Sequence, residues 1–154
     1  MPVYLVRHAH AGNRSSWDGD DDERPLSPKG RQQATGLLEW LADAPIQRVI
    51  SSPAARCVET VAPLAAAHGL EVETDPSLAE GGTAAACIKA LLAASHDDIA
   101  LCSHGDLIPK VIRQLRTDGM RSKDSNLSQK GSTWELDVVD GQVVSGRYHP
   151  PTKS

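Results

Sequence analysis

A chain of 154 residues, 40% hydrophobic and 23% charged, has the size and make-up of one folded domain with its own core, and a single domain over 1–154 is expected. The net charge of -4 excludes a global attraction to nucleic acid or anionic membrane, so a bound anion must be met by locally gathered basic side chains. No apolar run approaches the roughly 20 residues of a membrane helix, no basic-then-apolar leader is visible, and Cys57, Cys87 and Cys102 form no CxxC pair, which reads as reduced thiols in a cytoplasmic protein.

The run from Met1 to Arg7, rich in Val, Leu and Tyr, predicts a buried strand. His10 to Arg24 is polar, with glycines and an acidic run, and reads as a surface loop. Ser27 and Pro28 then supply an N-cap and a first-turn proline for a helix carrying Ala34, Leu37, Leu38 and Leu41, stopped by Pro45. Arg48 to Ser51 is a second strand, and a helix opens at Pro53 and runs to Gly69. Leu70 to Thr74 is a short strand candidate, and Thr83 to Ser95 an Ala-rich helix. Ile99 to Ser103 is a buried strand, followed by a helix from Asp106 to Leu115. After a polar loop from Gly119 to Gly131, two strands (Thr133 to Val139, Gln142 to Tyr148) meet at Asp140-Gly141 as a hairpin. Residues beyond Pro151 are expected to fray. Strands alternating with helices predict an α/β fold: a three-layer α/β/α sandwich with a mainly parallel central sheet.

Ligands of such sheets gather at the carboxyl ends of the strands. The first strand ends in Arg7-His8, the second in Ser51-Ser52-Pro53 with Arg56 just beyond, and the third long one in Ser103-His104-Gly105. Two histidines and two arginines therefore converge on one sheet edge. Arginine offers a planar fork to two oxygens of a phosphoryl group, and histidine serves as nucleophile or donor near neutral pH. Each residue alone reads as an ordinary satisfied or solvated polar group; their coincidence at three strand ends points to phosphoryl chemistry, where catalysis is mostly positioning and charge stabilisation.

These segments resemble the histidine phosphatase superfamily. Leu5-Val6-Arg7-His8-Ala9 is similar to its Arg-His-Gly signature, with Ala9 in the Gly place. Ser52-Pro53-Ala54-Ala55-Arg56-Cys57-Val58-Glu59-Thr60, Ser103-His104-Gly105 and Arg24-Pro25-Leu26-Ser27-Pro28-Lys29-Gly30 resemble its further motifs in order and spacing. The length resembles the compact SixA-like phosphohistidine phosphatases, and the wording resembles the phosphatase half fused to actinobacterial MutT-type Nudix hydrolases. The resemblance implies a phosphoglycerate mutase-like fold and His8 as nucleophile, with its second ring nitrogen bonded to a backbone carbonyl. It implies Arg7, Arg56 and His104 around the phosphoryl oxygens, and Glu80 of Leu78-Ala79-Glu80 as the acid for the leaving group. Asp106 is the alternative acid, or a helix cap. Many relatives carry Asn where Arg14 stands here, with Asn13 one residue earlier. Ser132, just before the strand at Thr133, is a further candidate near the pocket; Lys123 and Lys130 are both candidates to lean toward a charged substrate, with solvent as their ordinary partner.

The acidic run from Asp18 to Glu23 does not spell a calcium loop, since Glu23 and Lys29 stand at the sixth and twelfth positions; it reads as solvated. No metal and no cofactor are implied, and the expected partners are a phosphorylated small molecule or a phosphohistidine protein. Cys57 and Cys102 read as small buried packing groups. The expected function is thus a metal-independent phosphatase. Its alternatives are a non-catalytic phosphate-binding module, and a phosphoglycerate mutase, for which the chain looks short.

Overall fold

The computed structural model describes residues 2–152. Six strands, β1 (Pro2–Arg7), β2 (Arg48–Ser51), β3 (Val72–Thr74), β4 (Ile99–Ser103), β5 (Thr133–Val139) and β6 (Gln142–His149), form one sheet in the order β3-β2-β4-β1-β5-β6. The first four run parallel; β5 is antiparallel to β1, and β6 to β5. The hairpin turns through Asp140 (φ 52°) and Gly141 (φ 75°), the left-handed pair that a two-residue turn of this kind requires. The α/β expectation holds, with the hairpin making the sheet mixed.

Four helices, α1 (Pro28–Leu41), α2 (Ala55–Ala67), α3 (Ala84–Ala94) and α4 (Ile108–Thr117), cover both faces. Alternation along β1 decides which residue goes where. Tyr4 and Val6 join Leu37 and Leu41 of α1 and Val61 and Leu64 of α2. Val3 and Leu5 join Leu91 of α3, Val111 and Ile112 of α4, and Trp134 of β5. Fully burying a side chain such as Leu5 or Leu101 contributes about 1.5–3 kcal/mol each, and the continuous apolar run of β4 is buried along its whole length.

Several boundaries move for local reasons. Ser27 caps α1 by accepting from Gly30 N at 3.1 Å, but the helix ends at Leu41 and a turn precedes Pro45. Helix α2 starts at Ala55, two residues after Pro53, because Ser52 Oγ already takes the Ala54 amide. Its Gly69 stop is as expected, with φ +68°. Helix α4 starts at Ile108 and not at Asp106. Of the tail, Thr152 is packed: its Oγ1 donates to Gln33 O at 3.2 Å and sits where a side chain at Gly36 would be. The rest of the expected frayed tail, and Met1 of the expected first strand, lie outside the described residues.

The register brings the active edge into line. Arg7 pairs with Ser103, and Ser51 with Cys102, so β1, β2 and β4 end at nearly the same level, and the residues after them share one rim.

Candidate active site

At that rim lies a cleft of about 560 Å³. His8, the first residue past β1, is 7% exposed. Its Nδ1 lies 2.9 Å from Ala9 O; a carbonyl only accepts, so Nδ1 carries the proton and Nε2 keeps its lone pair. Burial, helped by the nearby His104, Arg56 and Arg7 charges and opposed by the Ala9 bond, pushes the His8 pKa down to about 3. The ring is therefore neutral at physiological pH, with the Nε2 lone pair unprotonated. Its backbone is clamped from four sides. His8 N donates to Ser103 O at 3.0 Å and Arg7 N to Ser132 O at 3.0 Å. Gly131 N donates to both Arg7 O and His8 O, and Ala9 N donates to Thr60 Oγ1 at 2.9 Å.

Arg56, on the first turn of α2, is 1% exposed. Its Nη1 donates to Asp21 O at 2.8 Å and its Nη2 to Glu80 Oε2 at 3.0 Å. Arg7 donates through Nη1 to Ser128 O and lies flat on Gly105: a Cβ there would come within 2.4 Å of Arg7 Cζ, which explains the glycine after His104. The Nε atoms of both arginines are buried without a hydrogen-bond partner. An unpartnered buried donor costs about 1–3 kcal/mol, a price met at sites built for an anion. His104 faces His8 edge-on, ring centroids 5.5 Å apart. Its Nε2 lies 2.8 Å from Ser52 Oγ and its Nδ1 3.4 Å from Arg56 Nη2. Ser52 thus holds the Nε2 edge of the ring, and the Nδ1 edge faces Arg56 and the cleft.

Arg7, His8, Arg56, Glu80 and His104 thus line one cleft. Glu80 is there as a bridge: its two oxygens accept from Arg14 Nη2 at 2.8 Å and Arg56 Nη2 at 3.0 Å. Asp106 also lines the cleft but caps no helix; its Oδ2 accepts from Gly81 N at 2.8 Å and fixes the loop that carries Glu80. Arg14 is not a plain surface arginine, since besides Glu80 it pairs with Asp21 at 3.2 Å. Asn13 lines the cleft while its side chain accepts from Ser15 N and Oγ. Ser132 is buried and contributes its carbonyl to Arg7 N. Lys130 lines the cleft; Lys123 does not.

The acidic loop holds the main correction. Asp21 is not a solvated charge: Oδ1 lies 3.0 Å from Arg24 Nε and 3.2 Å from Arg14 Nε, and Oδ2 lies 3.3 Å from Arg56 Nη2. One carboxylate ties three arginines, two of them from its own loop. Local sequence contains no signal for this, because the arrangement exists only when the loop folds over α2. Thr60 and Ser52 were visible within the motifs, but their tasks, holding the Ala9 amide and the His104 ring, depend on contacts 51 and 52 residues apart in the chain that only the fold makes. Cys57 is buried with Sγ 3.5 Å from His104 Nε2. Among the described residues no group of three or more His, Cys, Asp or Glu is placed to hold a metal ion, and no helix is long and apolar enough to cross a membrane.

The chain is 34% identical over 154 residues to the 8-oxo-(d)GTP phosphatase of Mycolicibacterium smegmatis, covering 97% of this chain and 48% of that protein. It is 44% identical over 79 residues to the uncharacterized protein Rv0525 of Mycobacterium tuberculosis, covering 51% of this chain and 39% of that one. The chain therefore spans half or less of the length of these relatives. Among solved structures it superposes with a TM-score of 0.79 and 20% identity on the protein histidine phosphatase SixA complexed with tungstate, over 99% of this chain and 97% of that one; this likeness is one of fold. Residues 3–84 match the family model of the histidine phosphatase superfamily (branch 1), and the chain belongs to that superfamily.

Proposed function

We propose that this chain is a metal-independent phosphatase that hydrolyses a phosphomonoester or a phosphohistidine through a phosphohistidine on His8. The observation that carries this reading is the neutral His8 ring, its Nδ1 proton committed to Ala9 O, in one cleft with Arg7, Arg56 and His104. His8 Nε2 attacks phosphorus in line, and the bond from phosphorus to the leaving group breaks. Arg7, Arg56 and His104 hold the three equatorial oxygens, on which charge is spread during transfer. Water then attacks the phosphohistidine, orthophosphate departs and His8 returns to its neutral form. Glu80, which lines the same cleft, serves as the acid for the leaving group once substrate oxygens arriving at Arg56 free its Oε2 to take up a proton from solvent.

The names of the relatives mark the substrates to try first: nucleoside phosphates after the 8-oxo-(d)GTP phosphatase, a phosphohistidine protein after SixA. The decisive experiment is hydrolysis of p-nitrophenyl phosphate with a chelator present. Activity is expected to persist in chelator, to fall on the order of 10³-fold or more in His8→Ala, and to give an acid-labile phosphoenzyme in the parent chain. Full activity in His8→Ala overturns the proposal. A panel read as kcat/KM ranks the substrates.

A further inference from the structure

The cleft carries more positive charge than one phosphoryl group uses, and the excess lies on one side. Five cations and two carboxylates line it. Counting also Asp21, which is bonded to three of those arginines, and Lys29, whose charge acts on Lys130 and His10, the excess remains three. A phosphoryl dianion takes up two. The carboxylates do not reach the remainder: Glu80 and Asp21 are committed to Arg14, Arg24 and Arg56, and Asp106 holds the Gly81 amide. Across the cleft, Lys130 and His10 have no acidic partner among the described residues.

Both residues are held in place by a shared scaffold. Gln33 of α1 accepts from His10 N at 2.8 Å through Oε1 and donates to Lys130 O at 3.3 Å through Nε2. Gly131, next to Lys130, donates to the carbonyls of Arg7 and His8, so Lys130 is in register with the nucleophile. It needs its φ of +83°, and a Cβ there would press on Gln33 at 3.1 Å. Gly12 N points at His10 Nδ1 from 3.3 Å, and Ser27 Oγ lies 2.6 Å from the same atom. An amide only donates, so Nδ1 accepts and the His10 proton sits on Nε2. Partial burial together with Arg7, Arg24 and Lys29 lowers the Lys130 pKa, a mark of like charges crowded without a counterion.

We propose that Lys130 and His10 form a second anion subsite beside the phosphoryl pocket, holding a phosphate or carboxylate carried by the leaving group. The substrate class is then a small molecule with a second anionic group near the scissile bond, rather than a phosphohistidine, whose leaving imidazole brings no negative charge. This rests on the reading of His8 as nucleophile, and its test separates the two. For the full chain, kcat/KM is measured with p-nitrophenyl phosphate, inorganic pyrophosphate and 3-phosphoglycerate. In Lys130→Met the ratio of pyrophosphate to p-nitrophenyl phosphate, or of phosphoglycerate to it, falls about tenfold, the loss of one charge-assisted bond. Whichever ratio falls tells phosphate from carboxylate. Lys123→Met, outside the cleft, leaves both ratios at the parent value. Ratios unchanged in Lys130→Met, or losses equal on all three substrates, overturn the subsite. If neither the parent chain nor His8→Ala turns over any substrate, the nucleophile reading fails. The subsite is then decided by calorimetry with pyrophosphate against orthophosphate, where Lys130→Met must weaken pyrophosphate selectively and an unchanged selectivity overturns it.

Discussion

At the scale of single residues, the site works by holding one histidine neutral and still. His8 spends one nitrogen on Ala9 O, and the peptide that follows it is held by the Thr60 hydroxyl, which accepts from Ala9 N at 2.9 Å and donates to Arg56 O at 2.6 Å. Thr60 thereby joins the segment after His8, the proposed nucleophile, to Arg56. Thr60 and Ala9 are both buried, so Thr60→Val, nearly equal in shape, strands a buried amide at a cost of about 1–3 kcal/mol. Denaturant unfolding should show that loss. The turnover of p-nitrophenyl phosphate should show a second one: kcat falls more than KM rises, because the error lies in the aim of the ring. Thr60→Ser, which keeps the hydroxyl, restores the kcat to KM split as well as the stability. A valine variant with parent kcat and parent stability would remove Thr60 from this role.

At the scale of elements, the loop that follows His8 is seated on the start of α1. A Cβ on Gly30 would lie 1.9 Å from His10 O and 2.9 Å from its carbonyl carbon. That is backbone against backbone, with no flexible side chain to give way. Gly30→Ala must push α1 from the loop or move His10, and overpacking of this kind costs about 1–3 kcal/mol or more; a melting temperature lower by about 2–4 °C per kcal/mol is expected for a chain of this length. A melting temperature within a degree of the parent would mean that the helix start and the loop are not in this contact. The glycine was legible in the Leu26-Ser27-Pro28-Lys29-Gly30 segment as part of a motif, but its reason was not, because the atom it avoids is twenty residues away. The same distinction runs through the chain. Element types and the starts of α1 and α3 followed from periodicity and caps, since Ser27 and Thr83 act through their own neighbours. Arg7, His8, Arg56 and His104 were legible because strand ends in a parallel sheet meet. The Asp21 cluster was not: a run of acids has solvent as its ordinary partner, and the three arginines arrive only with the folded loop.

At the scale of the whole molecule, the neutral buried histidine links the site to stability. In the unfolded chain a histidine titrates near 6.5, whereas His8 in the folded protein is held down to about 3, chiefly by burial. Between these values the unfolded state binds a proton that the folded state refuses, so stability rises with pH there. The contribution is complete above about pH 6.5 and is lost progressively as pH falls toward 3, with a limiting slope of about 1.4 kcal/mol per pH unit for one proton. Other groups titrate in the same range, and the difference between the parent chain and His8→Gln isolates this one, since glutamine fills the place without taking a proton. Unfolding free energies from denaturant titration at pH 7, 6, 5 and 4 should show the parent losing stability faster than His8→Gln over every step below pH 6. The unfolding free energy of the parent minus that of His8→Gln should fall steadily as the acid side is approached. Parallel curves from pH 7 to 4 would mean that His8 titrates alike in both states, and that the ring is not kept neutral by the fold that positions it.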